Sequence, residues 1–442
     1  MYYLALIQSK VIYQQLHVQM LLSMTVGSLF QLFYIVFSFL RIKKIENHQE
    51  KSKIAVVISA RNEESVIGST IREILSKQNY PKDHFDVFVI ADNCTDLTAQ
   101  KAEEAGATII VHNDSDPRTH RVAYALKYGI DKILKERPGA YDFLIRFDAD
   151  NHANADYLSR MNDAFLSGVE IARPYEASIN GTQNNWTKIS ATYYMRDSRL
   201  PSHVRECCHL DSMLTGAGMM VSMKILEQCG GWDAMGLSED AEFSLNRLLE
   251  NKRIHYVSEA IVYEDQPSTR KDTWNRLTRM GHGLHALFWK KGFRLLGHFF
   301  VSGKWSNVDL FNQLLFIPIS VIACLWFPAY YVYFIVSHLI NAYSVNWLAF
   351  FSPSESAAQL GELWRLIIII LTSYFFIYAF QTWLAVIKSK KRLGLTSLKG
   401  YWSGILLSPV FMVFYGLAIT WGAITKPRWK QVTRNSHFRK EK

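Results

Sequence analysis

This 442-residue chain has only five cysteines, and no two of them stand at a zinc-ligand spacing. Cys94, Cys207, Cys208, Cys229 and Cys324 are odd in number, and the adjacent pair Cys207 and Cys208 is poorly placed to bridge, so reduced thiols in a cytoplasmic domain are expected. Internal repeats and low-complexity segments are also missing. The net charge is +10, yet no basic helix interleaved with aromatics tracks a phosphate backbone, so no nucleic-acid partner is expected. Isolated charges are missing from the long apolar runs apart from Arg365 near one end, which argues against a transporter.

What is present is a polar middle between apolar flanks. Residues 1–19 form an N-terminal segment. Residues 20–41 carry a run, uncharged from Met20 to Leu40, that is long enough, at ~1.5 Å per residue, to cross a ~30 Å hydrocarbon core. The run starts too far in for a cleaved signal, lacks a small-residue cleavage site, and ends in Arg41-Ile42-Lys43-Lys44, so an uncleaved anchor is expected. Residues 284–305 read as amphipathic helices at a membrane interface, with a plain surface helix as the alternative. Further spans are expected over 310–340, 363–387 and 401–425. The first holds Pro318 and Pro328 and is one kinked span or a hairpin; the last holds Pro409. Lys388, Lys390, Lys391 and Arg392, like Arg41, Lys43 and Lys44, mark cytoplasmic flanks. Single spans throughout would leave the basic tail, 426–442, on the outer side against its charge, so one region is alternatively a hairpin. The expected location is the plasma membrane, multi-pass, with the lipid bilayer as partner and the polar domain in the cytoplasm.

Residues 53–283 read as soluble α/β. Short β-rich runs over 54–59, 85–90, 108–111 and 143–147 alternate with helical patterns over 66–77, 97–105 and 122–135, which predicts a parallel sheet with crossover helices. The fourth run ends in Asp148-Ala149-Asp150. Ligands of such sheets bind beyond the carboxyl ends of strands, and two carboxylates one residue apart suit Mg²⁺ or Mn²⁺ with the phosphates it bridges. The first and second runs end in Ala60-Arg61-Asn62-Glu63-Glu64 and Ala91-Asp92-Asn93-Cys94-Thr95-Asp96, delivering polar groups to the same edge, although Asp96 reads equally as a helix cap.

This series resembles the family 2 glycosyltransferases, whose catalytic domain has an α/β nucleotide-diphospho-sugar transferase (GT-A type) fold. Here that fold is joined to flanking transmembrane helices, as in membrane-bound synthases. The resemblance implies nucleotide-sugar contacts at Ala60, Arg61, Glu63, Asp92 and Asp148, and a metal at Asp150 and Asp148. It implies an acceptor segment at Thr215 and Gly216, and a Ser238-Glu239-Asp240 motif in which Asp240 is the catalytic base beside Glu239. Gly230-Gly231-Trp232-Asp233 resembles the turn before the base, where Trp232 stacks on a sugar or belongs to the core. Processive members carry Gln-x-x-Arg-Trp; here Arg276 and Met280 replace the glutamine and tryptophan, while Arg279 is kept, and both arginines are donor candidates. The family's Gly-Lys dipeptide is absent, leaving Arg118, His120 or Arg121 as stand-ins, and His282 with His285 lacks a third zinc ligand.

The resemblance implies inversion at the anomeric carbon, with a nucleotide-diphosphate sugar, UDP-linked by family habit, as donor and a glycan or polyprenyl-linked acceptor. The alternatives are a processive polysaccharide synthase that secretes its product, and an inactive membrane scaffold, against which the intact Asp92, Asp150 and Asp240 speak.

Overall fold

The computed structural model describes residues 30–342 and 353–425. Its centre is an eight-stranded sheet in the order β3-β2-β1-β4-β7-β6-β8-β5. The strands are β1 (Ile54–Ala60), β2 (Phe85–Asp92), β3 (Thr108–His112), β4 (Phe143–Asp148), β5 (His152–Ala153), β6 (Ile171–Ser178), β7 (Met219–Ser222) and β8 (His255–Glu264). Helix α1 covers residues 30–37. It is followed by α2 (Ile67–Lys77), α3 (Thr98–Glu104), α4 (Val122–Glu136), α5 (Tyr157–Leu166), α6 (Asn185–Asp197), α7 (His203–Cys207), α8 (Met223–Gln228), α9 (Glu239–Leu249), α10 (Arg270–Leu287), α11 (Phe293–Ser302), α12 (Trp305–Ala342), α13 (Pro353–Ser389) and α14 (Trp402–Ile424).

The expected strands and helices of the first hundred residues of the domain occur within a residue or two of their predicted bounds. The expectation of a parallel sheet holds only in part. β1 pairs in parallel with β2 and β4, and β2 with β3, but β7 runs antiparallel to β4 and β6, and β5 antiparallel to β8. β7 enters from the glycine turn at residues 216–218 rather than from a crossover helix, so nothing obliges it to run parallel. β1 and β4 are buried on both faces. Ile54, Val56 and Ile58 pack with α2 and Phe147 on one side, and Ala55 and Val57 with α4 and Trp232 on the other.

The parallel registers put the carboxyl ends of three neighbouring strands at one edge: Ser59 lies opposite Ile90 and Asp148, and Ala60 opposite Ala91. The turns out of β1 and β2 begin with asparagines in the left-handed region, Asn62 (φ 54°) and Asn93 (φ 47°), a conformation asparagine tolerates better than most residues.

Beyond the sheet, α10 carries Arg276 and Arg279 and lies directly on α14. A Cβ on Gly281 would come within 2.6 Å of the Ile419 backbone, so glycine is what lets the two helix backbones touch. α14 is apolar along its whole length and, with its first turn, forms the described segment (Lys399–Ile424) long and apolar enough to cross a membrane. Its buried side (Ile405, Phe411, Met412, Tyr415, Ile419) packs on α6 and α10, whereas Leu406, Val410, Val413, Leu417, Trp421 and Ile424 form an exposed apolar stripe at helical spacing. The region expected over 310–340 lies in the single continuous helix α12, so the hairpin alternative is not adopted. The 363–387 region lies within α13. Segment 1–19, the first part of the 20–41 run and the tail 426–442 fall outside the described residues.

Candidate active site

The site is organised around Arg146, a charged residue inside the apolar run of β4. Its side chain is 4% exposed, and its guanidinium ion-pairs Glu239 (Nη2–Oε1, 3.0 Å) and Asp148 (Nη2–Oδ1, 3.3 Å). Burial opposes its charge, but Glu239, Asp148 and Asp240 outweigh burial and hold the proton more firmly than usual. Nε and Nη1 of Arg146 are buried without a hydrogen-bond partner among the described residues. Gly216, at φ +83°, lies against this group. A Cβ there would stand 3.2 Å from Arg146 Nη1 and 3.4 Å from Asp240 Oδ2, so a side chain at 216 would crowd both.

Glu239 and Asp240 open α9, whose unpaired amides favour acidic side chains in the first turn. Asp240 Oδ1 accepts from the Ala241 amide (2.8 Å). Burial first, then the neighbouring charge of Glu239, raise the Asp240 pKa to about 7, against the opposing pull of Arg146. A carboxylate poised there suits proton transfer near neutrality.

Asp148 is half-exposed at the end of β4, its amide held by Asn151 Oδ1 (2.8 Å). Asp150, buried two residues on, lies in the electrostatic field of Glu264 and Arg276. Arg276 is anchored to Glu264 (3.0 Å) and to Gln266 Oε1 (3.3 Å) and stacks over Tyr194. Arg279, one turn on, is exposed, and it senses Glu239, Asp148 and Asp240. Although part of its surface meets solvent, lost hydration against the surrounding protein and then the repulsion of Arg276 keep its pKa below the usual arginine value. Among the described residues no three His, Cys, Asp or Glu side chains form a metal-holding group. Asp148 and Asp150 alone are a donor set that fits a hard divalent ion completed by phosphate oxygens.

Asp92 lies at the end of β2, with β1 between it and β4, hence roughly 10 Å along the sheet edge from Asp148 at ~4.8 Å per strand. Its buried carboxylate is ion-paired to Arg61 and accepts from His112 Nδ1 (2.9 Å) and Asn93 Nδ2 (2.7 Å). Arg61 also donates to the His120 carbonyl (3.0 Å), tying the β1 turn to the segment before α4. The Ala60 side chain is part of the core, leaving only its backbone for a ligand. The Glu63 amide donates to Thr98 Oγ1 (2.8 Å). Asp96 accepts from the Thr98 amide (3.0 Å), so it does act on a helix start.

Two acceptor expectations change. Trp232 is fully buried, stacked on Phe243 at 4.4 Å with its indole N–H bonded to the Ala234 carbonyl (2.9 Å). Its ring has no open face for a sugar, and it is a core residue. Thr215 donates its hydroxyl to Glu176, whose pKa burial raises to about 7 despite Arg173. Of the other candidates, His282 bonds the Gly422 carbonyl of α14 through Nδ1 (3.0 Å), and His285 Nε2 accepts from the Trp289 indole N–H (3.1 Å). Arg146, Glu176, Glu264 and Tyr194 escape sequence reading. The available signal for Arg146 was a lone charge within a buried strand; for the others there was none.

Residues 51–283, more than half of the chain, match the family described as glycosyltransferase like family 2. Curated relatives include a probable glycosyltransferase, YdaM, of Bacillus subtilis (strain 168), 26% identical over 54% of this chain and 56% of that protein. Another is a beta-monoglucosyldiacylglycerol synthase of Nostoc sp., 23% identical over 52% of this chain and 48% of the relative. The chain thus spans about half the length of these relatives. A solved mannosyltransferase of Pyrobaculum calidifontis, in complex with GDP-Man and Mn²⁺, overlaps 89% of this chain and 97% of its own at 13% identity and a TM-score of 0.48. With its family shown over the whole sheet domain, this chain belongs to the family 2 glycosyltransferases.

Proposed function

We propose that the protein is a membrane-bound, inverting glycosyltransferase that moves a sugar from a nucleotide diphosphate, UDP by preference, to a lipid or lipid-linked acceptor hydroxyl. The observation that carries this reading is the Asp240 carboxylate, raised to about 7 beside Gly216 and the Arg146–Glu239–Asp148 cluster. The nucleoside end of the donor lies by Asp92 and the backbone of Ala60, with Arg61 and Glu63 shaping the turn. The diphosphate lies toward Asp148 and Asp150, within reach of Arg279 and of Arg276 behind it. Mg²⁺ or Mn²⁺ held by Asp150 and Asp148 would supply charge neutralisation for the departing diphosphate. Asp240 takes the proton of the acceptor hydroxyl as it attacks the anomeric carbon from the face opposite the leaving group, which inverts that carbon. Arg146 keeps Glu239 and Asp148 from repelling each other while this occurs.

Membrane attachment is supported by the exposed apolar stripe of α14 together with Phe316, Ile319 and Ile322 on α12 and Phe376 and Phe380 on α13, a larger apolar surface than water tolerates on a monomer. Exposed Trp289, Phe293, Phe300 and Val301 favour the interfacial reading of 284–305. A lipid acceptor accords with the Nostoc relative, whose name specifies a glycolipid product. Met280, where processive members carry tryptophan, packs against the cluster of Phe411 and Ile419, which favours short additions over processive polymerisation.

A donor screen by nucleotide release, run on the full chain in nanodiscs with Mg²⁺ or Mn²⁺, tests the proposal. Release of nucleotide dependent on an added lipid acceptor supports it. A high-mass polymer made without added acceptor overturns the short-addition reading, and silence with every donor overturns the enzymatic one.

A further inference from the structure

Away from the site, cationic side chains gather where two apolar helices end. α1 stops at residue 37 and α13 at Ser389. Between these ends lie Arg199, in the π-helical stretch after α6, and Lys388 and Arg392. The polar atoms there are not balanced. Arg199 Nε, Arg392 Nη1 and the Tyr256 hydroxyl are all buried and find no hydrogen-bond partner among the described residues. Each is a donor, and they share one neighbourhood. Arg392 and Arg199 repel one another, and both act on the hydroxyls of Tyr175 and Tyr256. Arg392 also stacks over Tyr175, whose hydroxyl donates to Ser389 at the end of α13 (2.6 Å).

The surrounding groups do not cancel these charges. His203 is neutral, its pKa lowered to about 4 by burial and by the cations around it. It donates from Nε2 to the Leu40 carbonyl (2.8 Å) and accepts from Arg199 Nη1 (3.0 Å), which aims the guanidinium without cancelling its charge. Lys388 is bound to the Ser38 carbonyl (2.5 Å) and lies over Phe39. The carboxylate beside this region, Glu206, is committed to His255 (3.0 Å), Arg253 (3.4 Å) and the Tyr256 amide (2.9 Å). Buried donors left unpaired are costly, so an acceptor-rich anion is the ligand that would satisfy them.

We propose that Arg199, Arg392, Lys388 and the Tyr256 hydroxyl form a binding site for a phosphate oxyanion at the membrane face of the protein. The chemistry is that of a phosphate group, carried either by an anionic lipid headgroup or by a free phosphate. The position at the ends of α1 and α13 suits the headgroup, since basic pockets between helix ends bind such lipids. That source rests on the membrane placement proposed above, whereas the anion site itself does not.

The test uses the full chain in detergent, as wild type, Arg199→Gln/Arg392→Gln and Arg392→Lys. Native mass spectrometry and melting temperature are followed with dioctanoyl phosphatidylglycerol, dioctanoyl phosphatidylcholine and inorganic phosphate as probes. The expected result is retention of phosphatidylglycerol over phosphatidylcholine, weakened about tenfold in the double variant and largely kept by the lysine variant. Binding of inorganic phosphate alone, with the same dependence on the two arginines, assigns the site to a soluble anion. Equal binding by wild type and double variant, or no binding of any probe, overturns the proposal. Should the double variant fail to fold, Arg392→Gln decides the matter by the same comparison. None of these readings requires turnover, so an inactive enzyme leaves the outcome legible.

Discussion

Two ends of one sheet edge treat their acids in opposite ways. At the β2 end, Asp92 is matched by Arg61, His112 and Asn93, so its charge is fully answered within the protein. At the β4 end, Asp148, Glu239 and Asp240 crowd around the buried guanidinium of Arg146, two of whose nitrogens lack partners among the described residues. The first arrangement stabilises the fold and presents a rigid platform. The second is kept in spite of its electrostatic cost, with one carboxyl pushed toward neutrality, and such unresolved crowding is what an acid–base site needs.

That contrast can be broken by substitution. The largest effect is expected from Asp240→Asn, which should lower turnover by roughly 10²- to 10⁴-fold while donor affinity, measured by calorimetry, stays near wild type. Normal turnover in this variant would remove Asp240 as the base. Chelating divalent metal should stop nucleotide release, with recovery on adding Mg²⁺ or Mn²⁺; full activity in excess chelator would exclude the Asp148–Asp150 metal role.

Arg61→Met probes the opposite end. It leaves Asp92 buried without its ion-pair partner, and should cost about 3 kcal/mol in denaturant unfolding, with the kinetic loss appearing in donor KM rather than kcat. A pure kcat effect would undo the distinction between the two ends.

The smallest effect is in pH dependence. Because the Asp240 pKa is raised in the folded state, the fold binds that proton more tightly than the unfolded chain does. The resulting stability is present below about pH 4 and is lost as pH rises through about 7. Asp240→Asn should therefore raise the melting temperature at pH 8 and leave it unchanged at pH 4. Wild-type turnover should fall as the medium is acidified below about 7. An unchanged melting temperature at pH 8 would mean that the crowding is already relieved in solution.

The strands that build the site could be read because they are short, β-rich and uninterrupted, and because Asp148 and Asp92 stand where apolar runs stop. β7 could not be read as antiparallel, since direction depends on where the chain has come from and not on its four apolar residues. Trp232 was ambiguous for a related reason: a tryptophan in a glycine-rich turn looks alike whether its ring faces solvent or, as here, Phe243. Arg276 and Arg279 are three residues apart on one helix, yet only packing distinguishes them. The first is anchored to Glu264 and Gln266, and the second is left exposed beside the acids.

By itself the sequence determined the family, the alternation of strands and helices, and the acidic ends of the strands, because these follow from local periodicity and from motifs whose spacing a single strand or turn enforces. Only the tertiary structure decided that Arg146 is shared by Glu239 and Asp148, that Trp232 is core, and that Asp92 is already paired. Those outcomes arise where distant segments meet, and burial and charge act there between residues that the chain order keeps far apart.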